Sequence, residues 1–213
     1  MELQVWLADF LASWAIALSP GSGAVLSMTH GLAYGVQKTS ATIAGLQLGL
    51  AVILLVAGVG VGALLLASAT AFTVVKFAGA GYLIWLGLKQ WRSPASAAAT
   101  GGEALPAHAG VPPARDRFVM GFFTNVTNPK GIVFMVAVLP QFIDPARTLW
   151  LQLLVLLVTT IAVDLVVMHG YAFLASRMQR WLATARARRA QNRVFGGVLM
   201  AMGASLLLVK RAS

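Results

Sequence analysis

The sequence predicts an all-α, polytopic membrane protein, and three observations lead to this fold class. Hydrophobic residues make up 59% of the 213 residues and charged residues only 10%, whereas a soluble domain is roughly 45–50% apolar. Several apolar stretches reach the roughly 20 residues that a helix needs to cross the bilayer core. Short segments containing Gly, Pro and basic residues separate these stretches. The chain is therefore predicted to form a single transmembrane domain over residues 1–213.

The apolar stretches predict six transmembrane helices in two similar halves. The helices are predicted near residues 3–27, 40–67, 70–91, 117–140, 149–174 and 194–210. A segment rich in Ala, Pro and Gly, residues 93–116, divides the chain into repeats 1–92 and 117–213. Because each repeat has an odd number of helices, the two repeats must have opposite orientations in the membrane. Inverted repeats of this kind are typical of secondary transporters.

The distribution of lysine and arginine predicts the orientation. Eleven of the 16 lie between helices one and two, in or beside the loop 93–116, and in the loop 176–193. Cytoplasmic loops carry an excess of positive charge, so these segments are predicted to be cytoplasmic and the C-terminus to lie outside. The N-terminus is outside if the first helix crosses fully, and inside if that helix is re-entrant. The net charge of +10 is thus interpreted as a topology signal, not as a nucleic-acid-binding surface.

The residue types also exclude several kinds of chemistry. The sequence contains no cysteine, which excludes disulfides, thiol redox chemistry and thiolate metal sites. Its three histidines, His30, His108 and His169, lie far apart in the sequence. The sequence therefore predicts neither a metal site nor a cofactor.

The first helix of each repeat is predicted to break at a proline. Pro20 and Gly21 lie in the first break, and Pro129 and Gly131 lie in the second. Proline lacks a backbone N–H and clashes with the preceding helical turn. Unpaired backbone groups are costly in lipid, so two breaks at matching places predict one polar cavity shared by the repeats. The alternative is a pair of ordinary proline kinks.

Polar residues near these breaks are the candidates for binding a substrate. They are Lys130, Asn125, Asn128, Gln47, Asp164 and Ser22. Lys130 is predicted to lie near the middle of the membrane, where an unpaired ammonium group is costly. It either binds a substrate carboxylate, aided by the N-terminus of the half-helix after Pro129, or belongs to a structural ion pair.

Two acidic residues, Asp9 and Asp164, lie within predicted membrane helices. Asp164 follows Thr160 by one turn, so the two share a helix face, which is predicted to point into the bundle. Asp164 either holds a substrate ammonium or takes up a coupling proton. The alternative is a salt bridge to Lys130 that only joins the two halves. Asp9, which lies closer to the end of its helix, is the second candidate for proton coupling.

Motifs at both breaks carry a family resemblance. The first is Leu18-Ser19-Pro20-Gly21, and the second is FFTNVTNPKG at 122–131, followed by LPQFI at 139–143. Through these motifs the sequence resembles the LysE family of amino-acid efflux proteins. The stretches SPGSGA (19–24), IAGLQL (43–48), YLIWLGLKQWR (82–92) and VTTIAVD (158–164) are similar to its homoserine/homoserine-lactone exporters. Ser22 stands where many family members have a second proline.

The resemblance implies a function for the chain. It implies a secondary transporter, not an enzyme, in the bacterial inner membrane, driven by the proton-motive force. The implied substrates are homoserine, homoserine lactone and threonine, with leucine or lysine as the alternative. The resemblance also implies a homodimer.

Two other classes of function stay open on the residues alone. The first is an intramembrane hydrolase with Ser22 as nucleophile and His169 as base. The second is a passive channel, which would have no coupling ion.

Overall fold

The computed structural model describes residues 1–67, 69–92 and 111–177, together with isolated positions between 189 and 207. The described chain is helical and contains no strand, as the composition predicted. Most of the predicted sixth helix, 194–210, and most of the predicted loops 93–116 and 176–193 lie outside the described residues.

The described residues form seven α-helices. They are α1 (Leu3–Leu18), α2 (Ser22–Tyr34), α3 (Val36–Ala67), α4 (Ala69–Arg92), α5 (Ala114–Val126), α6 (Pro129–Val138) and α7 (Leu149–Arg177). A 3₁₀ helix, Leu139–Phe142, continues α6. Two segments, Val36–Gly60 and α7, are long and apolar enough to cross a membrane. The pair α1–α2 is bent by 56°, and α5 is bent by 51° against Pro129–Phe142, so each pair forms either one broken span or a re-entrant loop.

The two breaks have the same local cause. Ser19 and Asn128 each precede a proline, and a residue before proline is disfavoured in the helical conformation. Both residues adopt extended backbone angles, with ψ of 116° at Ser19 and 106° at Asn128. Pro20 lies between α1 and α2, whereas Pro129 is the first residue of α6, where its missing N–H costs no helical hydrogen bond.

Residues 28–39, between the first two predicted helices, are helical in the structure except at Gly35. Only Gly35 separates α2 from α3, and its φ of 76° is readily adopted by glycine. Polar side chains in this segment have hydrogen-bond partners in α2, α3 and the residue between them. His30 Nδ1 lies 2.6 Å from Thr42 Oγ1, and Thr39 donates to the Gly35 carbonyl at 2.8 Å. The polarity of this segment therefore reflects hydrogen bonds within a helix and between two helices.

The helices of the two halves pack against each other reciprocally. Helix α3 contacts both α5 and α6, and α7 contacts both α1 and α2. Small residues allow these close approaches, as is usual in membranes. A Cβ atom on Gly31 would lie 2.5 Å from the Ala172 carbonyl oxygen of α7, and one on Gly49 would lie 2.8 Å from the Phe122 carbonyl oxygen of α5. The contacts that hold the bundle together thus run mainly between the halves.

Two buried apolar clusters flank the centre of the bundle. One includes Leu50 and Leu54 of α3 with Phe134 of α6. The other includes Leu46 of α3 with Met168 of α7. Residues of both clusters line the central cavity described below, so apolar packing closes this cavity on two sides.

Replacing Gly45 by alanine is expected to destabilise the protein, because the added Cβ would overlap the Phe118 carbonyl of α5. Overpacking of this kind costs about 1–3 kcal/mol. Gly60→Ala on the same helix is the matched control, since nothing lies within 4 Å of its added Cβ. Thermal unfolding in detergent, followed by tryptophan fluorescence, measures the difference. Equal stability of the two variants would contradict the close α3–α5 contact.

Candidate functional site

A cavity of about 60 Å³ lies where the two broken helices meet. Its polar lining comes from both halves of the chain: Ser13, Ser19, Asn125, Asn128, Lys130, Thr160 and Asp164. Its apolar lining includes Leu46, Leu50, Phe134, Met135 and Met168. The volume is well below the roughly 300 Å³ at the lower end for ligand pockets. The cavity in this conformation is therefore smaller than most ligand pockets.

Lys130 reaches from the start of α6 to the end of α1. Its Nζ donates to the carbonyl oxygen of Ile16 at 3.2 Å and also to that of Ser19. These carbonyls belong to the end of α1, where helical hydrogen bonding stops. The ion pairs among the described residues join Arg147 to Glu2 and Asp144, so Lys130 is held by the end of a helix rather than by Asp164.

Other side chains also satisfy backbone groups across the two halves. The Tyr171 hydroxyl of α7 donates to the Leu18 carbonyl at 2.6 Å. In the opposite sense, the Ser22 hydroxyl donates to the Thr124 carbonyl near the end of α5, at 3.5 Å. Each break thus receives hydrogen bonds from the other half of the protein. Ser22 serves this contact and does not line the cavity.

Asp164 lies on α7 and faces the cavity. One of its oxygens, Oδ2, accepts a hydrogen bond from Gln47 Nε2 at 2.7 Å. Gln47 is buried and does not line the cavity. Gln47 therefore orients the carboxylate from behind, through one of its two oxygens.

Asn125 and Asn128 both line the cavity but are already engaged. Asn125 Nδ2 donates to the Leu46 carbonyl of α3 at 2.7 Å. Asn128 Oδ1 accepts from the backbone N–H of Lys130 at 3.1 Å and thereby caps α6. These two side chains fix the position of the second break. Gly131, in the first turn of α6, also lines the cavity.

The N-termini of α2 and α6, the half-helices that follow the two breaks, differ in their capping. Asn128 caps α6, whereas α2 begins after Gly21 without a side-chain cap. Gly21 and Gly23 line the cavity, so the first turn of α2 faces this space. Lys130 Nζ would lie 3.3 Å from a Cβ on Gly21. A positive side chain and the positive end of a helix dipole therefore converge at one end of the cavity.

Asp9 is buried on α1, two turns before Ala17, but it does not line the cavity. Its Oδ2 atom has no hydrogen-bond partner among the described residues. Ser13 lies between Asp9 and the break on the same buried face of α1. Asp9 is therefore about one helical turn, roughly 6 Å, beyond the cavity lining.

The sequence did not single out Ser13. Its hydroxyl lies 3.3 Å from the hydroxyl of Thr160, and both side chains are buried and line the cavity. The available signal was the spacing of Asp9, Ser13 and Ala17 at intervals of one turn, which places polar and small residues on one helix face.

The structure does not assemble the residues of the alternative hydrolase. His169 Nε2 lies 3.2 Å from the Ser40 hydroxyl, and His169 Nδ1 lies 2.9 Å from the Leu165 carbonyl. Ser22 instead bonds the Thr124 carbonyl. Within the described ranges, no three histidine or acidic side chains are placed to hold a metal ion.

Broken helices around a small cavity that holds polar and charged side chains, beside apolar helices of membrane length, are typical of membrane transport proteins. The chain belongs to the LysE-type translocator family, whose model matches residues 14–210. No solved structure matches it significantly.

Three curated relatives illustrate the similarity. The chain is 43% identical to the homoserine/homoserine lactone efflux protein of Salmonella typhi over 212 residues, which cover 100% of both chains. It is 41% identical to an uncharacterized membrane protein of Vibrio cholerae over 210 residues, 99% of this chain and 100% of the relative. It is 30% identical to the leucine efflux protein of Klebsiella pneumoniae over 203 residues, 94% of this chain and 93% of the relative.

Lys130→Met is expected to destabilise the fold, because it keeps the apolar stem but removes the donor for the Ile16 and Ser19 carbonyls. Leaving a buried group unsatisfied costs about 1–3 kcal/mol for each group. Lys89→Met is the control, since Lys89 is exposed and its ammonium lies 5.1 Å from the Trp85 ring centroid. Unfolding of both variants is measured in detergent. A Lys130→Met protein as stable as the control would contradict the capping role.

Proposed function

We propose that the protein is a secondary transporter that exports small neutral amino acids, such as homoserine and threonine, from the cytoplasm. The observation that carries this proposal is the polarity of the cavity. Its lining places the Lys130 ammonium beside the start of α2 and a carboxylate on α7. An amino acid has the complementary groups, a carboxylate and an ammonium, both attached to its α-carbon.

The carboxylate of the substrate is assigned to the uncapped N-terminus of α2. Backbone N–H groups at a helix start bind anions well, and the start of α6 is already occupied by Asn128. Lys130 stands beside Gly21 and has three donor hydrogens. A substrate carboxylate would take one of these hydrogens or replace a carbonyl of α1 as the partner.

The ammonium of the substrate is assigned to Asp164. Gln47 holds one carboxylate oxygen in place, and the side chain faces the cavity. Asp164 is the acidic residue in this lining, so a lysine substrate would bring two ammonium groups to one carboxylate. The apolar lining residues further favour a neutral side chain. Relatives named for efflux of homoserine and of leucine agree with this substrate class.

Coupling to the proton-motive force requires a group that gains and loses a proton during transport. Asp9 suits this role, because it is buried, lies about one turn from the cavity lining and has an oxygen without a partner among the described residues. The division of roles would then be ammonium binding at Asp164 and proton uptake at Asp9.

Alternating access between two inverted repeats is the proposed mechanism. The bends at both breaks and the reciprocal packing of α3 and α7 support this architecture. In the bacterial inner membrane, the ends that carry Lys38, Arg115 and Arg177 would face the cytoplasm, following the charge rule. Homodimer formation remains a prediction.

Proteoliposomes with the protein are expected to move labelled homoserine and threonine when a proton gradient is applied. Leucine should follow more slowly, and lysine should not move, because the cavity presents one carboxylate. Collapse of the gradient with an uncoupler is the control. Movement that ignores the gradient would indicate a passive channel, and no movement of any amino acid by folded protein would contradict the exporter proposal.

Asp164→Asn and Asp9→Asn are expected to separate the two acidic roles. Asp164→Asn should reduce both homoserine counterflow and gradient-driven export at least tenfold, because the ammonium loses its counter-charge. Asp9→Asn should retain counterflow, which needs no net proton movement, and lose gradient-driven export. If Asp9→Asn keeps gradient-driven export, the proton is carried elsewhere. If Asp164→Asn keeps counterflow, the ammonium assignment is wrong.

A further inference from the structure

Ser13 and Thr160 form a hydroxyl pair on the wall of the cavity. Their oxygens are 3.3 Å apart, a long distance for two hydroxyl groups. Ser13 is only 2% exposed and Thr160 5%. Both line the cavity, and they come from opposite halves of the chain, on α1 and α7.

The two hydroxyl groups bond each other and can therefore take a ligand hydroxyl as a new partner. The two asparagines that line the cavity instead bond backbone groups. Asn125 is bound to a carbonyl of α3, and Asn128 caps α6. Gln47, which the sequence predicted to bind a substrate, donates to Asp164. A hydroxyl group both donates and accepts, so a third hydroxyl can insert between Ser13 and Thr160 without leaving either unsatisfied.

The position of the pair also fits the length of a small substrate. Thr160 lies one turn before Asp164 on the same face of α7, about 6 Å along the helix axis. A ligand whose ammonium binds Asp164 would therefore extend its side chain toward Thr160 and Ser13.

We infer that Ser13 and Thr160 form a subsite for the side-chain hydroxyl of the substrate, and so favour hydroxylated over aliphatic amino acids. This inference rests on the proposed export of amino acids. The discrimination is modest, because without a hydroxyl ligand the two residues pair with each other. A site left with unpaired groups would discriminate far more strongly.

Competing export of homoserine and norvaline tests the subsite, because the two amino acids differ only by a hydroxyl in place of a methyl group. The homoserine-to-norvaline rate ratio is measured in proteoliposomes for wild type, Ser13→Ala and Thr160→Val. We expect this ratio to fall about three- to tenfold in each variant, the range of a single net hydrogen bond, with norvaline export retained.

Thr159→Val is the matched control. Thr159 precedes Thr160 on α7, but its hydroxyl accepts a hydrogen bond from Trp6 Nε1 at 3.0 Å and does not line the cavity. The ratio should not change in this variant. Size-exclusion chromatography and thermal unfolding confirm that all variants are folded.

The possible outcomes distinguish a failure of the hydroxyl subsite from a failure of the proposed export function. Three results would overturn the hydroxyl subsite. The export ratio could stay unchanged in Ser13→Ala and Thr160→Val, or these variants could lose export of homoserine and norvaline equally. The ratio could also fall as far in Thr159→Val. Equal export of homoserine and norvaline by the wild type would overturn it too. Failure of the wild type to export either amino acid would instead contradict the proposed function.

Discussion

The structure depends on how the carbonyl groups at the end of α1 are satisfied. A helix leaves its last four carbonyls without intrahelical partners, and such groups are costly where water is excluded. Here Lys130 and Tyr171 donate to the carbonyls of Ile16, Ser19 and Leu18. Both donors come from the second half of the chain. The break in the first half is therefore stable only when the second half is in place, and the cavity forms where these donors reach across.

The contact between Lys130 and the α1 carbonyls also affects the proposed transport cycle. In the proposed cycle, the Lys130 ammonium binds a substrate carboxylate while the site is occupied and the α1 carbonyls when it is empty. The charge then has a partner in every state, which lowers the cost of keeping an ammonium in the membrane. A structural and a substrate-binding role for Lys130 are thus compatible. The sequence presented these roles as alternatives because it shows no backbone partner.

Local features of the fold could be predicted from the sequence, and tertiary ones could not. The extended conformations of Ser19 and Asn128 follow from the prolines after them, so both breaks were predictable. The helical structure of residues 28–34 and 36–39, between the first two predicted helices, was not predicted, since the hydrogen bond between His30 and Thr42 depends on how α2 and α3 pack. The partners of Lys130 are carbonyls, which any residue type supplies. Ser13 was missed because its partner, Thr160, is distant in sequence.

The hydrogen bonds around the cavity divide its residues into two groups. Asn125, Asn128 and Gln47 hold short bonds to a helix carbonyl, a helix N-terminus and Asp164. Breaking any of these would leave a buried polar group unpaired, so these residues fix the shape of the site. Lys130 and the hydroxyl pair of Ser13 and Thr160 have spare donors or acceptors, and a ligand can therefore replace one partner at little cost. Polar residues at the breaks were predictable as a set, but which of them can release a partner to a ligand is decided by the packing of the two halves.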